Sequence, residues 1–196
     1  LRARKESPCD VITRSAAGFP ALLQEYQNPE LATAQMIRSL TGKRLLVPAS
    51  MPVGFAHTLM SVAEVRIDRG TVAAMRERKT FEEAVHIRNV QRKTEDAVHA
   101  AIDLIRRSEP DETGCLVADN APVTSERIRD VIAAELRSGN CEEKDTIISC
   151  GPDTAMPHCL GTGQLRANQP IVMDVFPRSR RTGYFADMTR TVSKGD

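Results

Sequence analysis

The stretch that decides the fold is IVMDVFPRSRRTGYFADMTRT, residues 171–191, which is typical of two strands joined by a basic, glycine-containing turn. Each strand carries one aspartate, Asp174 or Asp187, among apolar neighbours. A carboxylate in an apolar run needs a partner or a metal ion, because burying an unpaired charge is costly. Since apolar residues flank Asp174 on both sides, we expect its strand to be buried continuously rather than on alternate residues.

Pairing of the two strands would bring these aspartates together. If the strands form a hairpin about a turn near residues 179–182, Asp174 and Asp187 fall at similar heights on adjacent strands and share a face. Two unneutralised carboxylates this close would raise the pKa of one of them sharply, and a cation between them removes that repulsion. The ordinary alternative is that each aspartate is the solvent-facing half of an alternating strand or part of a turn. The arginines of RSRR, residues 178–181, we interpret as a solvated turn.

Composition limits the class of protein. The chain has 196 residues, 41% hydrophobic and 27% charged, which suits one large globular domain or two small ones. Because 27 Lys and Arg nearly balance 26 Asp and Glu, neither nucleic acid nor an anionic membrane is an expected partner. No apolar run approaches the ~20 residues that cross a bilayer. The five cysteines lack C-x-x-C spacing and the chain start lacks a signal-peptide core, so a cytoplasmic protein is expected.

Helical patterns precede the strands. Residues 79–110 predict one long amphipathic helix, with Thr80 and Glu83 at capping-box spacing, and residues 125–139 predict a second. Strands are expected over residues 145–150, 170–176 and 183–191. Upstream, residues 1–70 alternate helical and strand signals, which indicates part of an α/β domain. The chain is therefore predicted to be α+β from residue 71 onward.

Several motifs occur together in a fixed order. DTIISCG (145–151), MPH (156–158), the strand bearing Asp174, GY (183–184) and ADMTRT (186–191) resemble the first half of the pita-bread catalytic domain of metallopeptidases. That family includes Xaa-Pro dipeptidase, aminopeptidase P, methionine aminopeptidase and the metal-free creatinase. The resemblance implies the N-terminal half of that domain at residues 71–196, preceded by a partial creatinase-type N-terminal α/β domain at residues 1–70. The upstream part favours the Xaa-Pro branch, because methionine aminopeptidases lack it.

The resemblance also implies a dinuclear metal site. The residue at Asp174 binds one metal ion in the family and the residue at Asp187 bridges both. His158 matches a histidine that hydrogen-bonds the peptide around the scissile bond. Carboxylate oxygens bind several divalent metals and so do not identify the ion. The resemblance implies two divalent ions, Mn or Co. Arg190 is expected to hold the site through an internal ion pair.

Two departures from the family pattern bear on these roles. The aspartates lie thirteen positions apart, two more than is usual, but two extra residues at a hairpin tip do not change which face a side chain occupies. The family's remaining ligands, a histidine and two glutamates, belong to segments beyond residue 196. The absence of an initiator methionine also indicates part of a longer protein. We therefore expect the 196-residue chain to bind metal weakly and not to catalyse by itself.

These features favour a metal-dependent exopeptidase of the Xaa-Pro aminopeptidase or dipeptidase type. It would act on short peptides and form a homodimer through the face that the missing half would cover. The main alternative is a non-catalytic pita-bread binding module, and methionine aminopeptidase is the alternative within the enzymes. Creatinase-like C–N hydrolysis needs no metal and would leave Asp174 and Asp187 without a purpose.

Overall fold

The structure, a computed structural model, describes residue 7 and residues 9–195. It divides into two compact units, of which the first ends at Arg78 and the second begins at Lys79. Each unit has its own hydrophobic core. All five cysteines lie in the described part of the chain and are free thiols, as their spacing predicts.

The first unit is a small α/β arrangement. Its two strands are parallel, with Arg44 opposite Glu64, and a helix crosses between them, as parallel strands require. The side chain of Asn28 accepts hydrogen bonds from the backbone N–H groups of Glu30 and Leu31 and so caps the second helix at its start. The elements are α1 Phe19–Tyr26, α2 Pro29–Thr41, β1 Arg44–Pro48, α3 Val53–Met60, β2 Glu64–Asp68 and α4 Thr71–Glu77.

The carboxylate of Asp68 caps α4. Hydrogen bonds from the backbone N–H of Thr71, from its hydroxyl and from the N–H of Val72 lower the pKa of Asp68 from 3.8 to about 2. Because the folded pKa lies below the unfolded one, this stabilisation is present above about pH 4 and is lost as the pH falls towards 2. We expect Asp68→Asn, which keeps a capping side chain, to lower the melting temperature at pH 6 and to match the wild type at pH 2. Thermal unfolding against pH measures this, and a pH-independent difference would contradict the charge argument.

Two long helices dominate the second unit. The first, α5, spans Phe81–Arg107 and begins with the predicted capping box of Thr80 and Glu83. The second, α6, spans Ser125–Ser138 and ends at Gly139, as predicted. The two helices pack on each other through their apolar faces. None of the described helices is long and apolar enough to cross a membrane.

Short strands surround one central antiparallel sheet. They are β3 Glu109–Pro110, β4 Leu116–Ala118, β5 Ala121–Pro122, β6 Cys141–Glu142, β7 Ile147–Cys150, β8 Ile171–Val175, β9 Arg178–Ser179 and β10 Met188–Val192. The central sheet has the order β10-β8-β7. A second sheet has the order β3-β4-β5, and β6 pairs with β9. The predicted hairpin is confirmed, because β8 and β10 are antiparallel neighbours.

Burial along β8 differs from the prediction. Ile171, Met173 and Val175 are buried, whereas Val172 and Asp174 are half-buried, so the expectation of continuous burial was wrong. The buried face packs against α5 and α6, and these helices lie on one side of the sheet only. The strand therefore alternates, and Asp174 lies on the face away from the helices.

Candidate metal centre

Both aspartates line one open pocket, together with His158. In the register of the central sheet, Asp174 lies opposite Thr189. Asp187 precedes Thr189 by two residues, and side chains two apart on a strand share a face. The pocket, which we call the aspartate pocket, has a volume of about 580 Å³. The structure thus brings together the three residues that the sequence singled out.

Thr189 fixes the carboxylate of Asp174. Its hydroxyl donates a hydrogen bond of 2.6 Å to Oδ1 of Asp174 across the strand pair. Within the described residues, the second oxygen of Asp174 and both oxygens of Asp187 accept no hydrogen bond. These oxygens are available to a cation or to a substrate. The position of Thr189 opposite Asp174 follows from the register of the hairpin, and the sequence alone does not single this threonine out.

His158 lies in a loop that α6 holds in place. The guanidinium of Arg129 donates to the backbone oxygens of Leu160, at 2.6 Å, and Gly161, at 3.0 Å. His158 itself is exposed and has a left-handed backbone, with φ 66°. The hydrogen bonds from Arg129, rather than contacts of His158 itself, therefore hold the loop in position.

A carboxylate at the start of α6 holds the same loop further along. Glu126 accepts a hydrogen bond from the backbone N–H of Gly163, with both oxygens at 3.2 Å. Hydrogen bonds from its own backbone N–H and from that of Gly163 lower the pKa of Glu126. The carboxylate is thus charged at neutral pH, and it pairs with Arg129 at 3.4 Å. The first turn of α6 and the His158 loop form one connected unit.

Gly161 lets this loop lie directly on β7. The N–H of Ile148 donates to the oxygen of Leu160 at 3.0 Å, as in a strand pair. A Cβ added at Gly161 would come within 1.9 Å of the oxygen of Ile148, and the φ of Gly161 is +72°. Both the close approach and the left-handed conformation require glycine here.

The two carboxylates fit part of a metal site. Carboxylate oxygens are suitable ligands for Mn, Co or Mg ions, which usually take five or six ligands. Among residues 7 and 9–195, no group of three or more His, Cys, Asp or Glu side chains is placed to hold a metal ion. Asp174 and Asp187 therefore supply an incomplete ligand set.

The ion pair predicted for Arg190 is not formed within the described residues. Arg190 is exposed, and its guanidinium donates to the backbone oxygen of Thr189 at 2.8 Å. An exposed guanidinium at this position is satisfied by the neighbouring carbonyl and by solvent.

The remaining walls of the aspartate pocket were not identified from sequence. They are formed by Asp145, Ile147, Leu160 and Phe176. Ile147 lies opposite Asp174 in the register, and Phe176 follows Asp174 by two residues. Side chains alternate between the two faces of a strand, so both residues lie on the face that carries Asp174. This could have been predicted once the strand order was known.

Comparison with known proteins agrees with this architecture. The model of metallopeptidase family M24 matches residues 85–196. No curated protein sequence matches the chain. X-Pro aminopeptidase from Thermotoga maritima is similar in structure, with a TM-score of 0.69 and 19% identity over 100% of this chain and 49% of that one.

Two prolidases show the same similarity. That from Pyrococcus horikoshii has a TM-score of 0.65 and 23% identity over 84% of this chain and 45% of its own. The prolidase from Pyrococcus furiosus has a TM-score of 0.61 and 19% identity over 79% of this chain and 42% of its own. The chain thus spans about half the length of these structures. The prediction of an α+β chain with the first half of a pita-bread fold is confirmed. Since the family model matches more than half of its residues, the chain belongs to metallopeptidase family M24.

Proposed function

We propose that the protein containing this chain is a metal-dependent exopeptidase that hydrolyses the N-terminal peptide bond of short Xaa-Pro peptides. The observation that carries this proposal is the convergence of Asp174, Asp187 and His158 on one pocket, in a chain of a metallopeptidase family. The prolidases and X-Pro aminopeptidase of similar fold support the substrate class. Lack of an N–H at proline makes such bonds poor substrates for proteases that need that donor, so a dedicated pocket is useful.

In this proposal Asp174 and Asp187 hold two divalent metal ions, Mn or Co, with further ligands from outside the described residues. Such a pair of ions supplies, when bound, a nucleophile from water at neutral pH and polarises the scissile carbonyl. Thr189 keeps the Asp174 carboxylate in one orientation through its hydroxyl. This restraint reduces the reorganisation that ligand binding requires.

The other walls of the aspartate pocket act on the peptide. His158 donates a hydrogen bond to the substrate near the scissile bond and so orients it. Phe176, Leu160 and Ile147 give the pocket an apolar side on which substrate side chains pack. The chain alone is expected to bind metal weakly and not to cleave peptides, since its described residues contain no group of three or more side chains placed to hold a metal ion.

The cellular setting is part of the same proposal. Balanced charge and five free cysteines support a cytoplasmic protein without nucleic-acid or membrane partners. Exposure of large apolar side chains in the second unit, among them Met156, Leu160 and Phe185, supports a homodimer that covers them.

A non-catalytic peptide-binding module is the second candidate. It is favoured by one observation, that the described residues contain no group of three side chains able to hold a metal ion. A pocket lined by Asp174, Asp187 and His158 can still bind the free amino group of a peptide.

Metal removal distinguishes these candidates. The natural protein that contains this sequence is stripped with a chelator and assayed on Ala-Pro and Xaa-Pro-Xaa peptides with Mn(II), with Co(II) or without metal. We expect the chelator to abolish cleavage and Mn(II) or Co(II) to restore it, because the nucleophile depends on the metal. A peptide with a blocked N-terminus is the control and should not be cleaved. No cleavage with either metal in a folded protein would leave the binding module as the better account.

A further inference from the structure

A second pocket lies in the same unit and shares no lining residue with the aspartate pocket. Its volume is about 290 Å³, and it is formed by one side of α5, the turn after α6 and the turn at residues 179–182. We call it the basic pocket, because its lining includes Lys93, Arg181 and His86 but no acidic side chain.

Polar groups without a protein partner converge on the basic pocket. The side-chain amides of Asn89 and Asn140 and the guanidinium of Arg181 make no hydrogen bond or ion pair within residues 7 and 9–195. Oγ1 of Thr182 is buried and also lacks a partner there. An unpaired buried hydroxyl costs free energy, and a water molecule or a ligand removes that cost.

The arginines of the turn differ in what they contact. Arg178 and Arg180 both pair with Glu142, each at 3.6 Å, so one carboxylate offsets part of their combined charge. Arg181 has no such partner among the described residues and lines the basic pocket instead. The exposure of Arg181 is that of a solvated turn, and its charge remains available to a ligand in the pocket.

Lys93 brings a second positive charge to the basic pocket. Its ammonium contacts Asp96 at 3.1 Å, which occupies one of its three donors. Its alkyl stem lies against Gly139, where an added Cβ would come within 2.7 Å of Cδ. The missing side chain at Gly139 thus makes room for the lysine stem beside the pocket.

His86, which lines the basic pocket, is held in place by a tyrosine. The ring of His86 stacks on Tyr184, with centroids 5.7 Å apart. The hydroxyl of Tyr184 in turn donates to Glu83 at 2.6 Å. The hydrogen bonds from Tyr184 and from the N–H of Thr80 lower the pKa of Glu83. The hydrogen bond with Glu83 in turn raises the pKa of Tyr184. The bracing therefore persists at neutral pH.

We propose that the basic pocket binds a small molecule that carries an oxyanion, a phosphate or a carboxylate group. Two cations and several unpartnered donors complement such a group, and a guanidinium binds either oxyanion through two parallel hydrogen bonds. The volume lies at the lower end of the range for small-molecule pockets, which favours a compact ligand.

The test measures binding of inorganic phosphate and of succinate to the protein by calorimetry at constant ionic strength. We expect at least one of the two to bind saturably, and Arg181→Gln to weaken that binding about tenfold, as for loss of one charge-assisted hydrogen bond. Lys93→Gln should weaken it similarly. The matched control is Arg180→Gln, which removes the same charge from the adjacent residue and should leave the dissociation constant unchanged. Comparison of the two probes shows which oxyanion the pocket prefers.

A further arm separates the basic pocket from the aspartate pocket. In an Asp187→Asn background, oxyanion binding at the basic pocket should persist with the same dissociation constant, whereas binding through a metal ion at the aspartates should be lost. The proposal is overturned if neither probe binds saturably to the folded protein. It is also overturned if Arg180→Gln and Arg181→Gln weaken binding equally, since that result would indicate attraction to general positive charge.

Discussion

Replacing Gly161 by alanine is expected to lower the free energy of unfolding of the second unit by about 3 kcal/mol or more. The new Cβ would meet the backbone oxygen of Ile148 at 1.9 Å, at a residue whose φ is +72°. To relieve this clash, the loop has to move away from β7, which breaks the hydrogen bond between the N–H of Ile148 and the oxygen of Leu160. Since His158 lies three residues before Gly161 in the same loop, the change should also displace it from the aspartate pocket.

Gly163 provides the matched control for this prediction. Its φ is +75°, close to that of Gly161, but nothing lies within 4 Å of an added Cβ. Gly163→Ala should therefore cost only the left-handed conformation, about 1 kcal/mol. Urea unfolding followed by circular dichroism measures both variants. Equal losses would show that the backbone conformation, and not the contact with Ile148, requires glycine at residue 161.

Local signals in the sequence predicted the main elements of the second unit. The start of α5 was fixed by the capping box of Thr80 and Glu83, and the end of α6 by Gly139. Such signals involve residues a few positions apart, so they act within one segment. The pairing of β8 with β10 was also predictable, because a short basic turn joins two apolar strands.

Features that depend on distant segments were not predicted. The alternation of β8 follows from helices on one face of the sheet, which the strand itself does not encode. Two-residue strands such as β6 and β9 are too short to show any period. The basic pocket combines three separate segments, and the contact of Gly161 with Ile148 joins a loop to a strand. These arrangements arise from tertiary packing.

Asp187→Asn is expected to lower kcat/KM for Ala-Pro hydrolysis by at least about a thousandfold in the natural protein that contains this sequence, a prediction that rests on the proposed function. Asp187 is proposed to bridge two metal ions, so the loss of its charged oxygen should weaken the binding of both ions. Asp174→Asn should have a similar effect, whereas Thr189→Val, which removes only the hydroxyl that orients Asp174, should cost about tenfold. Kinetics of peptide cleavage and Mn(II) affinity by electron paramagnetic resonance measure the series.

The environment of Asp187 makes this test specific. Asp187 is exposed and makes no hydrogen bond or ion pair with another described residue, so asparagine there should leave the melting temperature of the metal-free protein unchanged. Asp130→Asn, the same change on the exposed side of α6, is the control and should leave activity, metal affinity and melting temperature unchanged. A folded, inactive Asp187→Asn variant with weakened Mn(II) binding would assign the carboxylate to metal binding, because no structural role remains to explain the loss. Full activity and unchanged affinity would instead remove Asp187 from the site and count against the exopeptidase proposal.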